Sequence, residues 1–198
     1  MHIRSRIMIA LLALFITSGA MAQTDAPRSD AEELKLAALE ALLLAPPERA
    51  LPLVTKVLDG DHSDEVKARA LFVLSQIDEP AAQSRLAEVV RSSSGHLQQE
   101  AIRMVGIGGD PAALAGLQEI YNSGDQDVRQ AVLEAYVISV NVEGIYQIAA
   151  NAQSDEDFSN AAEMLAALGA KEELRKLREV RGVSPYLIDA YAISGDVE

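Results

Sequence analysis

The sequence predicts an all-α protein of about five helical hairpins plus a closing half repeat at its C-terminal end. Three observations predict it. An apolar pattern of helical spacing returns at near-equal intervals, and Pro, Ser, Asp and Gly punctuate the gaps. No segment sustains the apolar/polar alternation of a half-buried strand. The anchors of the pattern are Leu34, Val66, Leu97, Val128 and Phe158, separated by 32, 31, 31 and 30 residues. A period of that size marks stacked supersecondary units.

The first helix of each unit follows from its apolar face. Leu34, Ala38, Ala41 and Leu42 make the first face, and Val66, Ala70, Val73, Leu74 and Ile77 the second. Leu97, Ala101, Met104 and Val105 make the third, and Val128, Val132, Ala135 and Tyr136 the fourth. Phe158, Ala162, Leu165 and Ala166 make the fifth. Residues at i, i+3, i+4 and i+7 share one side of a 3.6-residue turn, which is why each set predicts one buried stripe.

Second helices lie between these. Pro47, Pro80 and Pro111 each follow a short break, and proline suits the first helical position, where its missing N–H costs nothing. The inward residues are Val54, Val57 and Leu58, then Leu86, Val89 and Val90, then Leu117, Ile120 and Tyr121. Ile145, Ile148 and Ala149 continue the series, and Leu174, Leu177 and Val180 close it. The connectors "DGDHSDE", "SSSGHL", "NSGDQD" and "QSDED" supply Ser and Asp for N-caps and Gly for helix ends. In the half repeat "VSPYLIDAYAISGDVE", Tyr186, Ala190, Tyr191 and Ile193 are expected to face inward. One hairpin cannot bury its face alone, so stacking must supply the core.

Composition narrows the function. Aromatic residues are 4% of the chain and there is no Trp, so the core must be aliphatic. With no Cys, the chain holds no disulfide, thiolate ligand or thiol nucleophile. A net charge of -13 repels phosphate backbones, so nucleic acid is not an expected partner.

Residues 1–22 read as a secretory signal peptide. Arg4 and Arg6 form a positive start, Ile7 to Ile16 an apolar run, and Ala20-Met21-Ala22 a small-x-small cleavage signal before Gln23. The run is short for a bilayer span, so a cleaved leader is expected, with no stable membrane insertion afterwards; the alternative is an uncleaved N-terminal anchor. Residues 23–29 are a short polar lead and 30–198 the repeat domain. The expected location is the periplasm, with secretion beyond it as the alternative.

The stretches "DEVKARALFVLSQID" and "QDVRQAVLEAYVIS" carry the pattern Asp-x-Val-Lys/Arg, then small-apolar-x-x-apolar-apolar. That pattern resembles HEAT repeats. "HLQQEAIRMVGIGG" keeps the spacing without the leading Asp, and "EDFSNAAEMLAALGA" departs at Ser159. The resemblance implies an armadillo-like α-α superhelix, commonly a protein-binding scaffold whose second helices line the concave face. It implies no chemistry by itself.

Enzymatic exceptions among similar proteins find no support in the residues. Deoxyhypusine hydroxylases use repeated His-Glu pairs, whereas His62 and His96 are followed by Ser63 and Leu97. HEAT-like DNA glycosylases use a basic groove, which this acidic chain lacks. Phycobilin lyases share short repeats, but no residue here is diagnostic of them. "GIGGD", Gly106 to Asp110, opens like a phosphate loop, yet Pro111 takes the third glycine position and no strand precedes it. "DGDHSDE" gathers carboxylates, but the sixth and twelfth EF-hand places hold Asp64 and Ala70 instead of Gly and Glu. Ser92, Ser93 and Ser94 near His96 have no positioned acid. No catalytic residue, metal or cofactor is therefore expected.

What remains is surface. Projecting the second helices at 100° per residue places Lys56, Glu88, Arg91, Glu119, Tyr146, Arg175 and Glu179 opposite the apolar stripe. These are the binding candidates for a protein or peptide of the cell envelope on the concave face. Tyr146 either anchors a partner or packs against the adjacent repeat. The alternative function is an accessory, lyase-like enzyme or a small-ligand-binding protein using the same groove.

Overall fold

The computed structural model describes residues 29–195. The leader, its cleavage site and most of the polar lead lie outside them. Ser29 Oγ accepts the Glu32 N–H at 3.3 Å, opening α1 (Asp30–Leu42). From Leu34 onward the described residues form one compact unit.

The remaining helices are α2 (Pro47–Asp59), α3 (Asp64–Ser75), α4 (Pro80–Ser92), α5 (Gly95–Gly108) and α6 (Pro111–Ser123). They continue as α7 (Gln126–Ile138), α8 (Val142–Asn151), α9 (Asp155–Ala167), α10 (Lys171–Arg181) and α11 (Pro185–Ser194). Among the described residues there is no strand. Helices α3, α5, α7, α9 and α11 form one layer, and α4, α6, α8 and α10 pack in sequence beside them. The chain is thus an all-α solenoid of hairpins, with α11 as the half repeat.

Three of the four connectors cap as their composition predicts; in "SSSGHL", Ser94 makes no side-chain cap and Gly95 opens α5 instead of ending a helix. Side-chain oxygens of Ser63, Asp125 and Ser154 accept from the N–H groups of Val66, Val128 and Asp157. Asp110, Asn141 and Ser184 do the same for α6, α8 and α11. Pro47, Pro80 and Pro111 all sit in the first turn of their helices. Each cap satisfies an amide that the helix cannot, worth about 1 kcal/mol.

The core is largely aliphatic, with Tyr121, Tyr136 and Phe158 as its aromatic members, and runs the length of the unit. Val66, Ala70, Val73 and Leu74 of α3 are fully buried, as are Val132, Ala135 and Tyr136 of α7. A further set, Leu71, Ile102, Leu133 and Ala161, is equally buried on a face the predicted stripes omit. First helices are flanked by a second helix on one side and by first helices above and below. They therefore bury more than one stripe.

Three predicted placements fail. In α1, Leu34 is 71% exposed, and Ala38 and Ala41 are also exposed. Leu39 is buried instead, with Leu36 and Leu42 half-buried beside it. "ELKLAALEALLL" puts an apolar residue on every face, so periodicity does not select one. Val180 and Ile193 are 63% and 57% exposed, each in the last turn of its helix, where fewer neighbouring residues pack against it than at mid-helix.

Candidate functional site

A groove of about 660 Å³ lies between α6 and α8. One wall is α6, through Pro111, Leu114, Ala115, Gln118 and Asn122. The other is α8, through Glu143, Gly144, Gln147 and Asn151. Ser139, Val140 and Asn141 of the α7/α8 turn close one end, and Tyr136 underlies the groove.

Sequence explains the floor. Tyr136 is fully buried, and its hydroxyl donates to the Leu114 carbonyl at 3.1 Å. Burial pushes its phenol up to about 12, so it stays a neutral donor. Gly144 makes room for the ring: a Cβ there would lie 2.8 Å from Tyr136 Cε2. Asn141 caps α8 by accepting the Gly144 N–H at 3.0 Å.

The walls carry carboxamides bonded along each helix. Gln118 Nε2 donates to Asn122 Oδ1 at 3.4 Å, and Gln147 Nε2 to Glu143 Oε1 at 2.7 Å. Asn151 Nδ2 donates to the Gln147 carbonyl at 2.9 Å. Every amide offers two donors and an acceptor with two lone pairs, so capacity is left over for a ligand. Glu143 is the one charged residue in the lining. The groove thus sets neutral carboxamides on its walls beside Pro111, Leu114 and the Tyr136 ring.

The sequence candidates lie elsewhere on the second helices. Lys56, Glu88, Arg91, Glu119, Arg175 and Glu179 are all exposed, spread over α2, α4, α6 and α10. Glu88 pairs with Arg85 at 2.8 Å, and Arg85 also binds Asp59. Glu119 neighbours Gln118 in sequence but is not part of the groove lining. Tyr146 is half-buried against the core, with Lys176 Nζ 6.0 Å from its ring centroid. It faces the α10 side of α8, while Glu143, Gln147 and Asn151 face α6. Gln118, Asn122, Gln147 and Asn151 escape a sequence reading because neutral amides attract no attention singly; their i, i+4 spacing on adjacent second helices is the available signal.

A second cleft, of about 440 Å³, sits where α6 ends and α7 and α9 begin. Tyr121 hydroxyl donates to Asp157 Oδ1 at 2.9 Å, Ser154 Oγ donates to Oδ2 at 2.7 Å, and Arg129 lies 3.4 Å away. Burial opposes ionisation of Asp157, but the Ser154 and Tyr121 hydrogen bonds and the Arg129 charge hold its carboxyl below the usual range. Burial and then the Asp157 bond push the Tyr121 phenol well up. This network ties three repeats together and is satisfied internally.

Gly106 packs against α7, and Gly109 ends α5 in the left-handed region at φ 68°. Among the described residues no group of three or more His, Asp or Glu is placed to hold a metal ion. No helix there is long and apolar enough to cross a membrane.

Stacked hairpins with consecutive second helices packed side by side define an α-solenoid. Residues 51–136, from within α2 into α7, match the family model for HEAT repeats. The same hairpin geometry continues through α8 to α11. HEAT repeats generally serve as protein-interaction scaffolds. An engineered protein of known structure is similar at 16% identity, covering 94% of each chain with a TM-score of 0.43. No curated protein matches the sequence.

Proposed function

We propose that this chain is an exported, non-enzymatic scaffold of the cell envelope that binds a partner polypeptide in the α6/α8 groove. The observation that carries the reading is the facing pair of amide-bearing walls, Gln118 and Asn122 opposite Gln147 and Asn151. An extended polypeptide presents alternating N–H and C=O groups, and carboxamides supply the complement of both. The partner segment is cationic, since Glu143 is the only charge in the lining and the whole chain carries -13. Residues 1–22 support export to the periplasm.

The test is a photo-crosslinking side chain installed at Gln118, at Gln147 and at Glu163, an exposed position of α9, in the native host. The reading expects one polypeptide captured at Gln118 and Gln147 through a Lys- or Arg-containing segment, and not at Glu163. Capture at Glu163 alone, or a small molecule retained in native mass spectrometry, contradicts it. Cell fractionation with N-terminal sequencing checks export, with Gln23 expected as the first residue.

A further inference from the structure

The turn that closes the groove contains a residue in a conformation its type disfavours. Val140 has φ 54°, and among the described residues it is the only non-glycine at positive φ. Two branches on its Cβ crowd the backbone in this region. The flanking hairpins place glycine at the matching turn position, Gly109 at φ 68° and Gly169 at φ 70°. After α9 the geometry is the same: Ala170 N–H donates to the Leu165 carbonyl at 2.9 Å, as Asn141 N–H donates to the Tyr136 carbonyl at 2.7 Å. The fold therefore has a glycine solution for this turn and does not use it here.

Core packing does not account for the valine, because Val140 is 55% exposed. Its surroundings hold the strain in place. Ser139 Oγ donates to the Ala135 carbonyl at 2.8 Å, and the Asn141 side chain caps α8. Strain held by its neighbours, on a side chain that faces a groove, points to use by a ligand.

Resting on the groove reading above, we propose that Val140 sets the specificity of one end of the groove. Its isopropyl group, with Pro111 and Leu114, forms an apolar subsite for a branched aliphatic side chain of the bound segment. Glu143, three residues on, takes a cationic side chain of the same segment. The occupant is an extended peptide pairing Lys or Arg with Val, Ile or Leu a few residues apart.

The experiment is fluorescence anisotropy on the purified full chain. Its probes are fluorescein-labelled nonapeptides of Gly and Ser that carry one Lys and one variable residue, Val, Leu, Gly or Asp. Wild type should bind the Lys/Val and Lys/Leu peptides most tightly. Val140→Gly should weaken those two roughly ten-fold, the scale of one partly buried valine side chain. It should leave the Lys/Gly peptide unchanged, with Tm equal to wild type or higher. Val140→Asn, which tolerates the left-handed region, should show the same loss. Glu143→Gln should weaken every peptide. Unchanged Lys/Val binding in both Val140 variants, or a Tm several degrees lower in both, overturns the role of Val140. If Glu143→Gln still loses binding in that case, the groove reading survives. No binding by wild type to any peptide overturns both.

Discussion

Replacing Gly106 by Ala tests the stacking of first helices where α5 and α7 approach closely. Gly106 lies in α5 facing α7, and a Cβ there would sit 2.7 Å from both Ala135 Cα and the Ala135 carbonyl oxygen. Both are backbone atoms, so neither can rotate aside, and the two helices must separate. Alanine would ordinarily favour a helix interior by about 1 kcal/mol over glycine. Overpacking a close interface costs roughly 1–3 kcal/mol, occasionally more. The clash with backbone puts this case at the upper end, for a net loss of about 2 kcal/mol. At about 2–4 °C per kcal/mol for a domain of this size, Tm should fall by about 4–8 °C. Gly116 in α6 is the internal control, since a Cβ there meets nothing within 4 Å; Gly116→Ala should gain up to about 1 kcal/mol. Urea unfolding followed by far-UV circular dichroism measures both. Gly106→Ala as stable as wild type would refute the close α5/α7 approach.

Asp157→Asn should cost about 1–2 kcal/mol at pH 7, because hydrogen bonds to a charged acceptor are the strong ones. The folded carboxyl titrates below its ordinary 3.8, so its stabilisation is complete above that value and is lost as pH falls through the folded pKa. The gap between wild type and Asp157→Asn in urea melts should therefore close in acid and stay open at neutrality. Tyr136 runs the opposite way: its pKa is raised from 10.0 to about 12, so its contribution is whole below the lower value and declines as pH climbs to the higher one. Tyr136→Phe should flatten that alkaline limb of a Tm-against-pH curve. Tyr146→Ala should lower Tm by a few degrees through lost packing against the core and Lys176, while peptide binding in the α6/α8 groove stays as in wild type.

The solenoid was legible in the sequence because its causes are local. Val66, Leu97, Val128 and Phe158 recur at one period, Pro47, Pro80 and Pro111 open second helices, and Ser63, Asp125 and Ser154 cap first helices. Helix α1 was harder because Leu and Ala occupy every side of it, and only the neighbouring helices decide that Leu39 goes inward. Leu71, Ile102 and Leu133 escaped a single-stripe projection, since burial from above and below belongs to the stack. The groove escaped it for a related reason. Opposition to the apolar stripe selects residues facing away from the core, such as Glu119 and Arg175, whereas the groove wall is the flank of α8 turned toward α6. Val140 was hidden too, because its conformation is set by the Asn141–Tyr136 hydrogen bond across the turn.

The most direct measurement is an NMR titration that follows the side-chain amide signals of Gln118, Asn122, Gln147 and Asn151 as a Lys/Val peptide is added. The account predicts saturable shifts at these four, with the amides of Gln98 on α5 and Gln153 after α8 unmoved. Shifts spread evenly over all side-chain amides, or confined to Gln98 and Gln153, would contradict it.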